Sequence, residues 1–304
     1  MRRLSHLLFI LLLAGSCSLA QFTVYDGQTL RKGAYSFTTK QESHRLNSKL
    51  MGREMPYIAL LPDHYDPQDS RKYSTVYLLH GLSGHFDNWT LKTKIAETAA
   101  FCQCIVITPE GDDSWYTDSS SKPNDKYESY VIKELIPEID KKFRTIADRG
   151  NRAIAGLSMG GYGAIKFGLK YPDMFVVAGS FSGPLDAAAR TEKNMPGAIG
   201  KSIDATFGPP DREVRKANDL FDIVQRISSE KIKALPFLYI DCGTEDFLFQ
   251  NNRAFVDLLL EKKVPHEFRQ LPGGHNWKYW DAQVQEFLEL AANRFSTGQK
   301  REPQ

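Results

Sequence analysis

Ser158 lies in the stretch AIAGLSMGGYGAIKFGL, where four glycines crowd around one serine directly after an apolar run. A glycine-rich segment of this kind either connects two elements, cradles phosphate or presents a nucleophile. The phosphate readings fail on spacing: Gly161 and Gly163 supply two glycines of a dinucleotide fingerprint, but Lys166 stands where the third belongs. A P-loop needs Gly-Lys-Ser/Thr, and here Gly161 precedes Tyr162. What fits is G-x-S-x-G between a strand and a helix. In that turn the backbone is strained, only small residues are tolerated at Gly156 and Gly160, and the serine hydroxyl is held out of the sheet.

A serine hydroxyl is a poor nucleophile near neutral pH and needs a base, which in turn needs an orienting acid. Of the seven histidines, His6 falls in the N-terminal leader, His44 and His64 precede the core strands, and His266 begins a strand. His80 and His85 precede the serine in a separate motif. His275, in LPGGHNWKYW, sits on a glycine-rich loop after the last expected strand and is the candidate base. The run YIDCGTEDFL offers the acid: Asp246, in the loop beyond the strand, is the first choice, with Glu245 and Asp241 in reserve. Negative charge on a tetrahedral intermediate requires hydrogen-bond donors. The backbone N–H of Met159, next to the serine, is one candidate, and that of Leu82 in VYLLHGLSGHFDNW is the other.

The elements that must position these residues are legible as alternating runs. Strands are expected at 55–61, 74–80, 104–110, 152–157, 175–181, 236–242 and 266–271. Several are continuously apolar, as strands covered on both faces are. Helices are expected at 159–171, 250–262 and 279–295, and the stripe Tyr127, Val131, Leu135, Ile139 and Phe143 marks another, bent at Pro137. This alternation predicts an α/β fold, a mainly parallel sheet with helices on both faces. The segment 183–235 interrupts it without clear periodicity at first and is expected to form a lid or pocket wall. No repeat or linker divides the chain, so residues 21–300 are expected to form a single domain.

Residues 1–20 follow different rules: Arg2 and Arg3, the apolar run LLFILLLAG, then SLA before Gln21. This is the pattern of a cleaved signal peptide, too short to span a membrane. Cys17 in LAGSC loosely matches a lipoprotein site, but Ala14 stands where leucine is usual, which favours soluble secretion. The chain holds 39 basic and 37 acidic residues, and the two leader arginines account for the difference. A neutral mature surface argues against a nucleic-acid or anionic-membrane partner. Cys102, Cys104 and Cys242 remain; with no Cys-x-x-Cys or Cys/His metal spacing they are expected to be buried thiols, and no metal or cofactor is called for. The sequence NWT at Asn88 is a glycosylation sequon, relevant only in a eukaryotic secretory pathway.

The blocks LLHGLSGHFDNW, SWYTD, YESYVIKELIPEI, AGLSMGGYGA, CGTEDF and GGHNWKYW, spread over roughly residues 40–295, resemble in content and order the esterase D-like branch of the α/β-hydrolases. That branch includes S-formylglutathione hydrolases, feruloyl and acetylxylan esterases, tributyrin-type esterases and mycolyltransferases. The resemblance implies Ser158 as nucleophile, Asp246 as acid, His275 as base, and Leu82 and Met159 as oxyanion donors. It also implies that Trp115 and Tyr116 of SWYTD line the acyl pocket. The leader departs from the cytosolic S-formylglutathione hydrolases. The resulting expectation is a secreted or periplasmic serine carboxylesterase acting on small esters or acylated carbohydrates. The alternatives are an acyltransferase that uses a sugar alcohol instead of water, and a noncatalytic carbohydrate-binding protein on the same scaffold.

Overall fold

Short apolar runs that cannot reach helical length become the strands of one central sheet. The computed structural model describes residues 20–25, 30–35 and 39–295. The expected leader and Cys17 lie outside the described residues, apart from Ala20. Strands β1 (Ala20–Tyr25) and β2 (Leu30–Tyr35) pair antiparallel as a separate ribbon. The main sheet holds β3 (Thr39–Ser48), β4 (Arg53–Pro62), β5 (Thr75–Leu79), β6 (Ile105–Pro109), β7 (Arg152–Leu157), β8 (Val177–Phe181), β9 (Phe237–Asp241) and β10 (His266–Arg269). Their spatial order is β10-β9-β8-β7-β5-β6-β4-β3. Strands β5 to β10 pair in parallel, while β4 runs antiparallel to both β6 and β3.

All seven expected strands are present. β5 to β8 are buried along their whole length, which is why their sequences read as unbroken apolar runs. β3 was not foreseen. It is an edge strand reading TKQESHRLNS, and charged, polar side chains on an edge discourage pairing with another chain while concealing the strand from a hydrophobicity reading. From β5 the chain visits β6 on one side and then β7 on the other. The carboxyl ends of β5 and β7 therefore flank a reversal of strand order, where open α/β sheets place their ligand crevice.

The stripe at 127–143 is buried as expected, but its spacing of four is too wide for a regular α-helix. The backbone accommodates it with a π-helical turn, Val131–Leu135, between α-helical segments Tyr127–Tyr130 and Ile136–Lys142. Pro137 opens the last segment rather than bending a continuous helix. The segment 183–235 carries a 3-10 turn, Ala187–Ala189, and four short α-helices, Ala198–Phe207, Glu213–Lys216, Leu220–Gln225 and Ser229–Ala234. Phe207 of the first packs on the rings of Trp115 and Tyr162.

One expectation is corrected. Cys102 and Cys104 are not free thiols but form a disulfide, with Cα atoms 5.2 Å apart. Cys102 ends the helix Ile95–Cys102, and Gln103 adopts a left-handed conformation that folds the chain back before β6. Cys242 is free and buried.

Candidate active site

The turn after β7 shows why its glycines are required. Ser158 has φ 51° and ψ −121°, and its N–H donates to Phe181 O of β8 (2.8 Å) while its own carbonyl accepts from Tyr162 N–H (3.1 Å). A Cβ on Gly156 would lie 2.4 Å from the Gly160 carbonyl carbon, and one on Gly160 would lie 2.5 and 2.6 Å from the Leu79 and His80 carbonyl oxygens. These neighbours are backbone and cannot swing aside. The helix Met159–Lys170 starts directly at the serine, so its positive N-terminal end borders the hydroxyl.

His275, on the loop between β10 and the helix Trp277–Arg294, places Nε2 3.1 Å from Ser158 Oγ and Nδ1 2.9 Å from Asp246 Oδ2. In the tautomer that satisfies both contacts, Nδ1–H donates to the carboxylate and Nε2 accepts from the serine hydroxyl. The Asp246 side chain is fully buried, and its second oxygen accepts from Leu248 N–H (2.9 Å). Burial opposes the charge, but the bonds from His275 and Leu248 outweigh it and hold the carboxyl below its ordinary pKa. Of the two reserves, Glu245 is exposed, and Asp241 is wholly buried at the end of β9, where it accepts from Tyr239 Oη (3.3 Å). The rings of Trp280 and Phe247 pack on His275, each with centroids 4.9 Å away.

Leu82 follows β5 in a turn closed by Gly84 N–H donating to Gly81 O (3.1 Å). Among the described residues neither the Leu82 nor the Met159 backbone N–H has a hydrogen-bond partner. Gly81, Leu82, Ser158 and His275 share a cleft of about 170 Å³ that Trp277, Lys92 and Asn88 also line. Beside it, Asp113, Lys201 and Ser202 border a second depression of about 320 Å³, to which the 183–235 segment contributes one wall.

Trp115 and Tyr116 are not at the pocket surface, being 2% and 0% exposed. Both have positive φ, 55° and 51°, and the turn they make drives both rings inward. Trp115 Nε1 donates to Ser202 Oγ (3.1 Å), and Tyr116 Oη donates to the His80 carbonyl (3.1 Å). Both rings therefore pack within the protein. Lys166, fully buried, donates to the Tyr116 carbonyl (2.6 Å) and to Glu128 Oε2 (2.9 Å).

Sequence reasoning passed over Glu110 and Asp113. Glu110 lies 3.1 Å from His80 Nε2, accepts from Asp112 N–H (2.8 Å), and is stabilised as an anion by these bonds against its burial, with a pKa lowered to about 2. Asp113 accepts from Ser83 N–H (2.5 Å). The signal was present in PEGDD, a run of acids at the carboxyl end of a buried strand. Among the described residues no group of His, Cys, Asp and Glu is arranged to hold a metal ion, and no helix is long and apolar enough to cross a membrane.

Known proteins similar to this chain are esterases and serine hydrolases. Residues 48–289 match the Esterase family model, described as "Putative esterase". An acetyl esterase of Caldicellulosiruptor saccharolyticus is 30% identical over 252 residues, 80% of this chain and 94% of its own length. A ferulic acid esterase structure superposes with a TM-score of 0.73 at 29% identity, covering 85% of this chain and all of the other. A fluorophosphonate-binding serine hydrolase of Staphylococcus aureus superposes with a TM-score of 0.74 at 28% identity, covering 84% of this chain and 99% of the other. The arrangement of sheet and helices is that of the α/β-hydrolases.

Proposed function

The chain belongs to the Esterase family and is a hydrolase of carboxylic esters, and from this premise we propose that it acts through an acyl-enzyme on Ser158. As Ser158 Oγ attacks the ester carbonyl carbon, its proton passes to His275 Nε2. The Asp246 carboxylate holds the imidazole in the required tautomer and stabilises the imidazolium. The Leu82 and Met159 N–H groups donate to the oxyanion, each such donor typically contributing about 3–4 kcal/mol to the barrier reduction. Collapse releases the alcohol, which takes the proton from His275. Water, deprotonated by the same nitrogen, then attacks the acyl carbonyl and frees the acid and the serine.

The observation that carries this reading is the continuous contact from Asp246 Oδ2 through His275 to Ser158 Oγ, at 2.9 and 3.1 Å. Ser158→Ala is expected to abolish hydrolysis of p-nitrophenyl acetate while leaving the melting temperature unchanged. Full activity in that variant contradicts the mechanism.

The substrate is proposed to be a small ester or an acylated carbohydrate, supported by the similarity to an acetyl esterase and a ferulic acid esterase. Comparing acetyl, butyryl and feruloyl esters tests the acyl preference. Export is proposed from the basic start, apolar run and small-residue end of residues 1–20, and the Cys102–Cys104 disulfide suits an oxidising compartment. A mature N-terminus at Gln21 in the exported fraction supports export. Retention of the leader on a protein confined to the cytosol contradicts it.

A further inference from the structure

We propose that His80, held by Glu110, and Asp113 are positioning residues that fix the two peptide planes on either side of Leu82 and so aim its N–H at the oxyanion. The inference rests on the acyl-enzyme reading above.

The Leu82 N–H belongs to the same planar trans peptide as the Gly81 carbonyl, so the direction of one sets the direction of the other. That carbonyl accepts from His80 Nδ1–H (2.8 Å) and from Gly84 N–H (3.1 Å). The His80 ring, 1% exposed, is held at its other nitrogen: Nε2–H donates to Glu110 Oε1 (3.1 Å), and the same carboxylate oxygen accepts from Gly111 N–H (3.1 Å). The His80 carbonyl is also occupied, accepting from Tyr116 Oη. With its carbonyl pinned on this side, the Gly81–Leu82 peptide turns its N–H the opposite way.

The next peptide is held independently. Ser83 has φ 56°, at the third position of a four-residue turn where a positive φ is normally given to glycine or asparagine. A serine there needs an external restraint. Asp113 supplies it, its carboxylate accepting the Ser83 N–H in a charge-assisted bond. Glu110 and Asp113 both lie on the loop after β6, so a single loop outside the triad supplies both carboxylates of the clamp. A rotation of either peptide would move the Leu82 N–H off the position of the developing charge, and such donors act only when aligned in advance.

Asp113 is exposed, so it can be changed without opening the core. For Asp113→Ala, kcat for p-nitrophenyl acetate is expected to fall about 10-fold, with KM within twofold and an unchanged melting temperature, a part of the loss seen when an oxyanion donor is deleted. Binding of an alkyl trifluoromethyl ketone, whose adduct carries the same oxyanion, should weaken by the same factor. Asp113→Asn, which keeps an acceptor for Ser83, should recover most of both. Glu110→Gln should also lower kcat and ketone affinity together. A kcat for Asp113→Ala within twofold of the unmodified enzyme overturns the proposal, as does a fall in kcat with undiminished ketone binding. An unmodified enzyme that shows no esterase activity and no ketone adduct on Ser158 instead overturns the acyl-enzyme reading on which the inference rests.

Discussion

His275 Nε2 stands 3.1 Å from Ser158 Oγ, although 117 residues separate them in the chain. Neither side chain could hold that distance alone. Ser158 is fixed by the strained turn between β7 and its helix, and His275 is gripped by Asp246 and flanked by the Trp280 and Phe247 rings. The contact is thus a product of three loops at one end of a parallel sheet, following β7, β9 and β10.

Replacing Asp246 with Asn keeps the shape but lets the imidazole adopt the wrong tautomer. The expected loss in kcat is on the order of 10⁴-fold, with KM changed little. Because the folded carboxyl titrates below its ordinary range, its stabilising bonds are present at neutral pH and are lost only as pH falls through that lowered value. Steady-state kinetics on the variant check the first point. A loss below tenfold would show that Asp246 does not orient the base.

Gly160 separates the elbow from the end of β5, where an added Cβ would press on two carbonyl oxygens. Gly160→Ala is expected to cost about 1–3 kcal/mol through overpacking and to displace Ser158 from His275. Thermal melts together with p-nitrophenyl acetate kinetics check both effects. Wild-type rate and stability in this variant would show that the close approach is not required.

Most of this site was legible in the sequence for a physical reason. A nucleophile elbow imposes its own residue types, and buried parallel strands announce themselves as apolar runs, so the turn at Ser158 and strands β5 to β9 could be read directly, His275 was singled out by its loop and chain order, and Asp246 was a first choice with Glu245 and Asp241 in reserve. The sequence was less informative where polar side chains do structural work. β3 hides behind edge-strand charges, Glu110 and Asp113 look like solvated acids, and Lys166 looks like a surface cation until its ammonium is found between Tyr116 and Glu128. Trp115 and Tyr116 have positive φ values, invisible in a residue string, and both are buried rather than exposed at a pocket surface. The Cys102–Cys104 bond depends on a left-handed Gln103 that a strand-like reading of the segment does not anticipate.

Asp241 offers a test of stability against pH. Burial, only partly offset by the Tyr279 and Tyr239 hydroxyls beside it, pushes its pKa up to about 7. Between the ordinary carboxyl range and about 7, the folded protein holds a proton that the unfolded chain has released. Stability from this residue therefore declines as pH rises through that window and levels off above it. Asp241→Asn removes the decline and should be more stable than the unmodified protein at pH 7.5, by on the order of 2–4 kcal/mol, with little difference at pH 4. Denaturant midpoints at the two pH values decide. An equal difference at both would show that Asp241 does not titrate as described.

The central claim is that Ser158 is the nucleophile, and covalent labelling tests it most directly. Incubation with a fluorophosphonate, followed by intact-mass and peptide analysis, should place one phosphonyl group on the peptide containing Ser158, with none on Ser158→Ala and sharply slowed labelling of His275→Ala. Labelling at another serine, or stoichiometric labelling that persists in Ser158→Ala, would contradict the account.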